Sequence, residues 1–327
     1  MENMNILFVG PKFNSYEKTI TKTLKKSEKY NKVLFVQDCP LRYTHLFALL
    51  YNLFPSIKSA LVKYFNKKII KIIKKNNIDC FFILKGEFVL SETITAIRKS
   101  CPKIKIIVYQ WDSINNNPQA KDLLQLADDS YTFDPIDAQN LNITYLPLFS
   151  SWKETGLNQT EFEKQIKFDI LSIGGYRGHR IPYVNAMKEF CEQNELTYKF
   201  HNYENFMSFL KNRKKLNIKL ADVSFSRISY KKYNTLLLQS KAVLDIHSPS
   251  QNGLTMRTME TLSLNKKLIT TNKNIFKEPF YNKNNIYVIQ NPEDLKSRQI
   301  LDFINYRFNN SEGVLTLTEW LIRMCLL

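Results

Sequence analysis

Cysteine is scarce in this chain: its 327 residues include five, Cys39, Cys80, Cys101, Cys191 and Cys325, with no Cys-x-x-Cys pair. An odd, scattered set argues against a disulfide framework and a thiolate zinc site, so reduced thiols are expected. The four histidines, His45, His179, His201 and His247, show no short metal-ligand spacing, and no Asp-x-Asp pair offers a carboxylate cradle. The expected chemistry uses neither a metal nor a resident cofactor. Apolar runs stop well short of the roughly 18 residues that span a bilayer, so no transmembrane helix is expected. Met1-Glu2-Asn3-Met4 has no basic leader and Asn5–Gly10 is of strand length, which argues against a signal peptide and places the chain in the cytoplasm. Acidic residues are also in deficit, 30 against 47 Lys and Arg. The resulting charge of +17 is spread evenly, since residues 1–150 hold 21 basic and 13 acidic residues. A solvated basic surface explains this better than a nucleic-acid footprint, and no nucleic acid is expected as a partner.

What is present fits a packed globular protein: 44% of residues are hydrophobic and 13% aromatic. The length predicts two domains. Strand-like runs at Ile6–Val9, Val33–Gln37, Cys80–Leu84 and Ile104–Tyr109 alternate with helical patterns at Tyr16–Lys29, Tyr43–Lys75 and Ser91–Lys99. That alternation predicts a parallel sheet covered on both faces. Shorter strands near Ser130–Phe133 and Ile143–Leu146 complete it, and Ser150–Gln159 reads as a linker. The pattern restarts at Phe168–Ile173, with a helix over Pro182–Asn194 and strands at Thr197–His201, Ala242–Ile246, Lys267–Thr270 and Ile286–Ile289. The expected fold class is therefore α/β: two Rossmann-like domains facing a cleft, residues 1–155 and 156–312, followed by a terminal helix in 313–327. That helix is expected to pack back toward the N-terminal domain. Ligands of such sheets bind at the carboxyl ends of the strands. From Lys58 to Lys75 there are seven lysines and no acid, with Leu61, Phe65, Ile69, Ile72 and Ile73 on another face. Such a helix either packs on the sheet or rests on an anionic membrane surface.

The clearest ligand loop follows Ala242–Ile246. His247-Ser248-Pro249-Ser250-Gln251-Asn252-Gly253 is turn-rich, and a helical pattern begins at Leu254. Gly253 allows close backbone approach, and the helix start offers free N–H groups and the positive dipole end to an anion. Arg257 adds a charged fork, and Glu260, one turn on, is placed to accept from a ribose. The alternative is a plain strand-to-helix loop with solvated charges, since neither a Walker loop nor a GxGxxG fingerprint is present. Gly174-Gly175-Tyr176-Arg177-Gly178-His179-Arg180 is a second candidate: either Arg177 and Arg180 neutralise a leaving phosphate, or a glycine turn caps the strand and the arginines are solvated.

The run Gly253-Leu254-Thr255-Met256-Arg257-Thr258-Met259-Glu260-Thr261-Leu262, continuing to Lys266–Asn272, resembles the donor-binding segment of bacterial capsule and lipopolysaccharide glycosyltransferases of the GT-B fold. Tyr109-Gln110-Trp111-Asp112-Ser113, Phe133-Asp134-Pro135 with Asp137-Ala138, and Asp169–Gly174 resemble other segments of that group in the expected order. The resemblance implies a nucleotide-sugar donor held by the C-terminal domain; with the residue readings above, the expected donor contacts are Gly174, Arg177, Arg180, Asn252, Gly253, Leu254, Thr255, Arg257 and Glu260. A saccharide or lipid-linked acceptor would sit on the N-terminal domain, at the inner face of the plasma membrane. Retaining members carry two glutamates eight positions apart; here the position eight before Glu260 is Asn252, which leaves an inverting displacement.

Such a displacement needs a base near the acceptor hydroxyl. Asp112, beside Trp111 at a strand end, is the first candidate, and a capping carboxylate is its alternative reading. Glu87, in Lys85-Gly86-Glu87, is the second, and His45 and His247 are further titratable groups. The competing function from another class is a non-catalytic nucleotide-sugar or polyanion binder.

Overall fold

The computed structural model describes residues 4–38, 55–152, 166–308 and 313–327. Cys39, His45, the beginning of the helix expected from Tyr43 and most of the expected linker lie outside the described residues. The chain forms two compact units. The first comprises Met1–Leu148, Pro249–Gly253 and Leu317–Leu327, and the second Phe149–Ser248 and Leu254–Thr316.

The first unit runs β1 (Met4–Gly10), α1 (Tyr16–Lys26), β2 (Tyr30–Gln37), α2 (Pro55–Lys75), β3 (Cys80–Leu84), α3 (Ser91–Ser100), β4 (Lys105–Gln110), α4 (Ala120–Leu126), β5 (Asp129–Thr132), α5 (Pro135–Leu141) and β6 (Thr144–Tyr145). Its six strands are all parallel, in the order β2-β1-β3-β4-β5-β6. Strand β3 is buried at every position, as a strand covered on both faces must be. On one face Leu7, Val9, Phe81, Ile83, Ile106 and Val108 share a core with Phe65, Ile69 and Ile73 of α2 and Ile94 and Ile97 of α3. The helical pattern read across the lysine-rich stretch is thus a helix whose apolar stripe closes this core. Strand β6 is two residues long. Helix α5, which periodicity did not single out, is set by its start: Asp134 caps Ile136 and Asp137 N–H, and Pro135 opens the first turn.

The second unit runs β7 (Phe168–Gly175), α6 (Ile181–Gln193), β8 (Tyr198–Tyr203), α7 (Phe206–Asn212), α8 (Tyr230–Leu238), β9 (Ser240–Asp245), α9 (Met256–Ser263), β10 (Lys267–Thr270), β11 (Ile286–Val288) and α10 (Gln299–Asn305). Its five parallel strands lie in the order β11-β10-β9-β7-β8. Two apolar clusters cover the sheet, one built on Met187, Phe190, Leu244 and Ile269, the other on Leu171, Leu237 and Val243.

The last helix, α11 (Leu317–Arg323), belongs to the first unit. Trp320, fully buried, meets Tyr109 edge-on at 4.7 Å between ring centroids, and the Tyr109 hydroxyl donates to the Leu146 carbonyl at 2.8 Å. In both sheets the chain leaves the central strand for one side and then returns to the other. The reversal falls between β1 and β3 in the first and between β7 and β9 in the second, and the carboxyl ends of those strands are where open α/β sheets bind ligands.

Candidate functional site

In the second unit β9 ends on Asp245, which is 1% exposed. Its carboxylate accepts from Thr255 Oγ1 at 2.6 Å, Thr258 Oγ1 at 3.0 Å and Arg257 Nη1 at 2.7 Å. Burial alone would raise this carboxyl; Arg257, the two threonine hydroxyls and Arg180 outweigh it and hold the carboxyl below its ordinary range. Thr255 also caps α9, accepting from Thr258 N–H at 3.2 Å. Asp245 therefore fixes the start of the helix expected to face a phosphate. Arg257 is less free than the sequence suggests: its Nη1 is committed to Asp245, and its Nε is buried without a partner.

A second arginine feels Asp245 only at longer range and has no ion-pair partner among the described residues. Arg180, just before α6, is half-buried, and no described group pairs with its guanidinium. It lies across the end of β7, where a Cβ on Gly174 would stand 2.5 Å from Nη1. Gly174 thus provides room rather than an unusual backbone conformation. Desolvation and Arg257 push Arg180 down to about 10, which leaves it charged at neutral pH. Arg177 is exposed on the same loop, and its side chain runs beside Gly175. Two histidines complete the group. Burial and the neighbouring arginines lower His179, whose Nε2 is buried without a partner; burial also lowers His247, whose ring Nδ1 pairs with Thr271 Oγ1 at 2.7 Å. The carboxyl ends of β7 and β9 thus bring Arg257 and Arg180 to the hydrogen-bonded Asp245 carboxylate, with Arg177 near Arg180.

Glu260, 4% exposed, accepts from the Tyr230 hydroxyl at 3.1 Å. Burial and this carboxylate together raise the Tyr230 phenol far above its usual range. Glu260 is held by a tyrosine of the same unit, and Leu254 is 2% exposed. Arg227, on the segment before α8, stacks on Tyr203 at 5.2 Å.

Asn252 and Gly253, expected beside the donor, fall in the segment that joins the first unit. Asn252 N–H donates to Asp134 at 3.1 Å, and a Cβ on Gly253 would run into the Phe133 ring and stand 2.6 Å from the Phe133 carbonyl oxygen. Next to them Gln251 Nε2 donates to Asp112 Oδ1 at 2.7 Å. Asp112 also accepts from Asn116 at 2.9 Å and pairs with Lys85 at 3.3 Å. Lys85 in turn reaches Glu87 at 3.2 Å, so the two candidate bases share one ammonium at the carboxyl ends of β3 and β4. Lys85 and Gly86 are both left-handed, with φ of 71° and 63°. A non-glycine residue in that region stores strain that the surroundings must hold. Asp38, just past β2, does so: its carboxylate accepts Glu87 N–H at 2.8 Å and Phe88 N–H at 3.2 Å. It is 5% exposed, and burial drives its carboxyl up to about 7 in spite of those two bonds. Trp111 stands against Tyr16 at 5.6 Å and edge-on to Phe13 at 6.4 Å.

Asp38 and Asp245 carried no assignment in the sequence. The signal available for each was a single carboxylate closing an apolar strand, the pattern that did flag Asp112. Among the described residues no three His, Cys, Asp or Glu side chains cluster as metal ligands, and no helix is long and apolar enough to cross a membrane.

No protein-family model matches the chain, and no curated protein matches it. Solved structures do. The UDP-GlcNAc 2-epimerase from Methanocaldococcus jannaschii aligns at TM-score 0.62 and 12% identity over 98% of this chain and 99% of that one. An alpha-glucosyltransferase solved with UDP and a 13-mer DNA aligns at 0.60 and 12% over 99% of each. A glycosyltransferase from Rickettsia africae aligns at 0.58 and 13% over 99% of this chain and 97% of that one. Likeness at this identity establishes the fold: two parallel-sheet α/β domains of the GT-B class.

Proposed function

We propose that the chain is a glycosyltransferase that moves a sugar from a nucleotide-sugar donor to a saccharide or lipid-linked acceptor of the cell surface, with inversion and without a metal ion. The observation that carries this reading is the surplus of arginine charge at the carboxyl ends of β7 and β9. Asp245 pairs with Arg257, while Arg180 and Arg177 have no carboxylate of their own among the described residues. Planar guanidinium groups beside the starts of α6 and α9 suit two adjacent phosphates. In the proposed reaction Asp112 takes the proton of the acceptor hydroxyl as its oxygen bonds to the anomeric carbon. The bond from that carbon to the diphosphate breaks, and Arg180 and Arg177 stabilise the departing nucleoside diphosphate in the role a divalent ion would otherwise fill. Glu87 shares Lys85 with Asp112 and is the second candidate base. Solved proteins of similar fold, described as bound to UDP or UDP-GlcNAc, support a sugar-nucleotide ligand. The lysines of α2 are exposed with no acid among them, which suits an acceptor at an anionic membrane in the cytoplasm.

A second reading has its own support, because several of the similar structures are UDP-GlcNAc 2-epimerases, which would need no acceptor. Incubation with UDP-, GDP-, CMP- and dTDP-sugars, with and without saccharide acceptors, separates the two. Nucleotide released in step with a lengthened acceptor supports transfer. Conversion of the donor to its epimer without acceptor supports the second reading, and an inert panel removes both.

A further inference from the structure

Helix α1 and the edge strand β2 border a groove of about 540 Å³ that none of the chemistry above uses. The volume is that of a small-molecule site, which typically spans about 300–1,000 Å³. Five lysines line it: Lys12 from the loop after β1, and Lys18, Lys22, Lys25 and Lys26 from α1. All five are exposed, and no described carboxylate pairs with them. Lys18, Lys22 and Lys26 follow one another at four-residue spacing, where like charges on one helix face repel. The floor is apolar. Phe35 of β2 lies there, its ring 5.1 Å from the buried ring of Phe8.

One acid belongs to the groove. Glu17, in the first turn of α1, is 5% exposed, and its Oε2 is buried with no hydrogen-bond partner. An unpartnered carboxylate oxygen at such a depth calls for a donor. Thr21, one turn on, cannot serve, because its hydroxyl donates to the Glu17 carbonyl at 2.7 Å.

We infer that this groove binds a phosphate-bearing saccharide. The lysines match the phosphate, Phe35 offers a flat apolar surface to a sugar ring, and Glu17 accepts from sugar hydroxyls. As a free-standing site the groove does not depend on the transferase reading; as the seat of the acceptor it rests on that reading and gives the acceptor its chemistry.

Calorimetric titration of the full chain, without nucleotide sugar, tests the site. The ligands are glucose 6-phosphate, a phosphodiester-linked oligosaccharide, a neutral oligosaccharide of the same length, inorganic phosphate and duplex DNA. Binding of either phosphorylated saccharide, at least tenfold tighter than the neutral chain or phosphate, is expected. Preference for the monomer assigns a soluble sugar phosphate, and preference for the oligomer assigns a polymer end. Lys22→Glu with Lys25→Glu should weaken binding tenfold or more. Glu17→Gln should weaken the saccharides about fivefold and leave inorganic phosphate unchanged. Binding of DNA as tight as that of the saccharides, or indifference to all three substitutions, overturns the proposal. Sugar-nucleotide binding by the same variants is expected to match wild type; its loss in the wild-type chain would count against the transferase reading and leave the groove untouched.

Discussion

Replacing Asp245 by asparagine would strip the second unit of the charge that organises its strand-end site. In the native chain this carboxylate, 1% exposed, accepts from two threonine hydroxyls and one guanidinium. Without its charge Arg257, whose side chain is 20% exposed, loses its ion pair and is left beside Arg180 with only the more distant Glu260 carboxylate acting on it. Breaking a buried ion pair by removing one partner costs about 3–5 kcal/mol, because the remaining charge is stranded. For a unit of this size, each kcal/mol is worth about 2–4 °C in melting temperature, so the second unit should melt roughly 6–20 °C earlier. Urea unfolding followed by circular dichroism reads the same loss as a lower midpoint at unchanged slope. Adding Arg257→Met to Asp245→Asn removes the stranded charge and should recover most of the loss, since apolar replacement of a whole buried pair is often close to neutral. The pH behaviour follows from the depressed Asp245 carboxyl: its contribution is complete above the unfolded value of about 3.9 and is lost as pH falls below it. A loss under about 1 kcal/mol for Asp245→Asn, or a double variant no more stable than the single one, would refute a charge-locked site.

Three further outcomes are expected. Asp38, raised to about 7 in the fold, contributes stability that is complete below about pH 4 and is lost as pH rises through 7; Asp38→Asn should therefore flatten the fall in urea midpoint across that window. Gly253→Ala places a methyl against the Phe133 ring and carbonyl and should cost the first unit about 1–3 kcal/mol by calorimetry. Asp112→Asn should abolish sugar transfer while donor affinity stays within twofold, and full activity in that variant would remove Asp112 as the base.

The two sheets were readable in the sequence because their strands are short apolar blocks: Cys80–Leu84 and Lys267–Thr270 are buried at every position and admit few other readings. Strand β6 is shorter than the pattern predicts because two paired residues before Pro147 leave no periodicity to measure, and α5 escapes periodicity because its definition lies in a cap rather than a stripe. The site was legible by residue type and not by pairing. Arg257 reads as a phosphate fork until a strand-end carboxylate twelve residues earlier proves to hold it. Gly174 reads as a flexible turn, whereas its role is to leave space for the Arg180 guanidinium, a contact no linear pattern encodes. Asp38 and Glu87 are 49 positions apart, and only the parallel β2-β1-β3 order brings them together.

The arginine-rich end of β7 and β9 is proposed to bind the diphosphate of a sugar nucleotide. Thermal-shift titration of the wild-type chain and of Arg180→Ala against UDP-, GDP-, CMP- and dTDP-sugars tests it most directly, because a ligand stabilises the fold in proportion to its affinity. A shift with one nucleotide family that falls at least tenfold in apparent affinity in Arg180→Ala is the predicted result. No shift with any of them, or an equal shift in the two proteins, would contradict it.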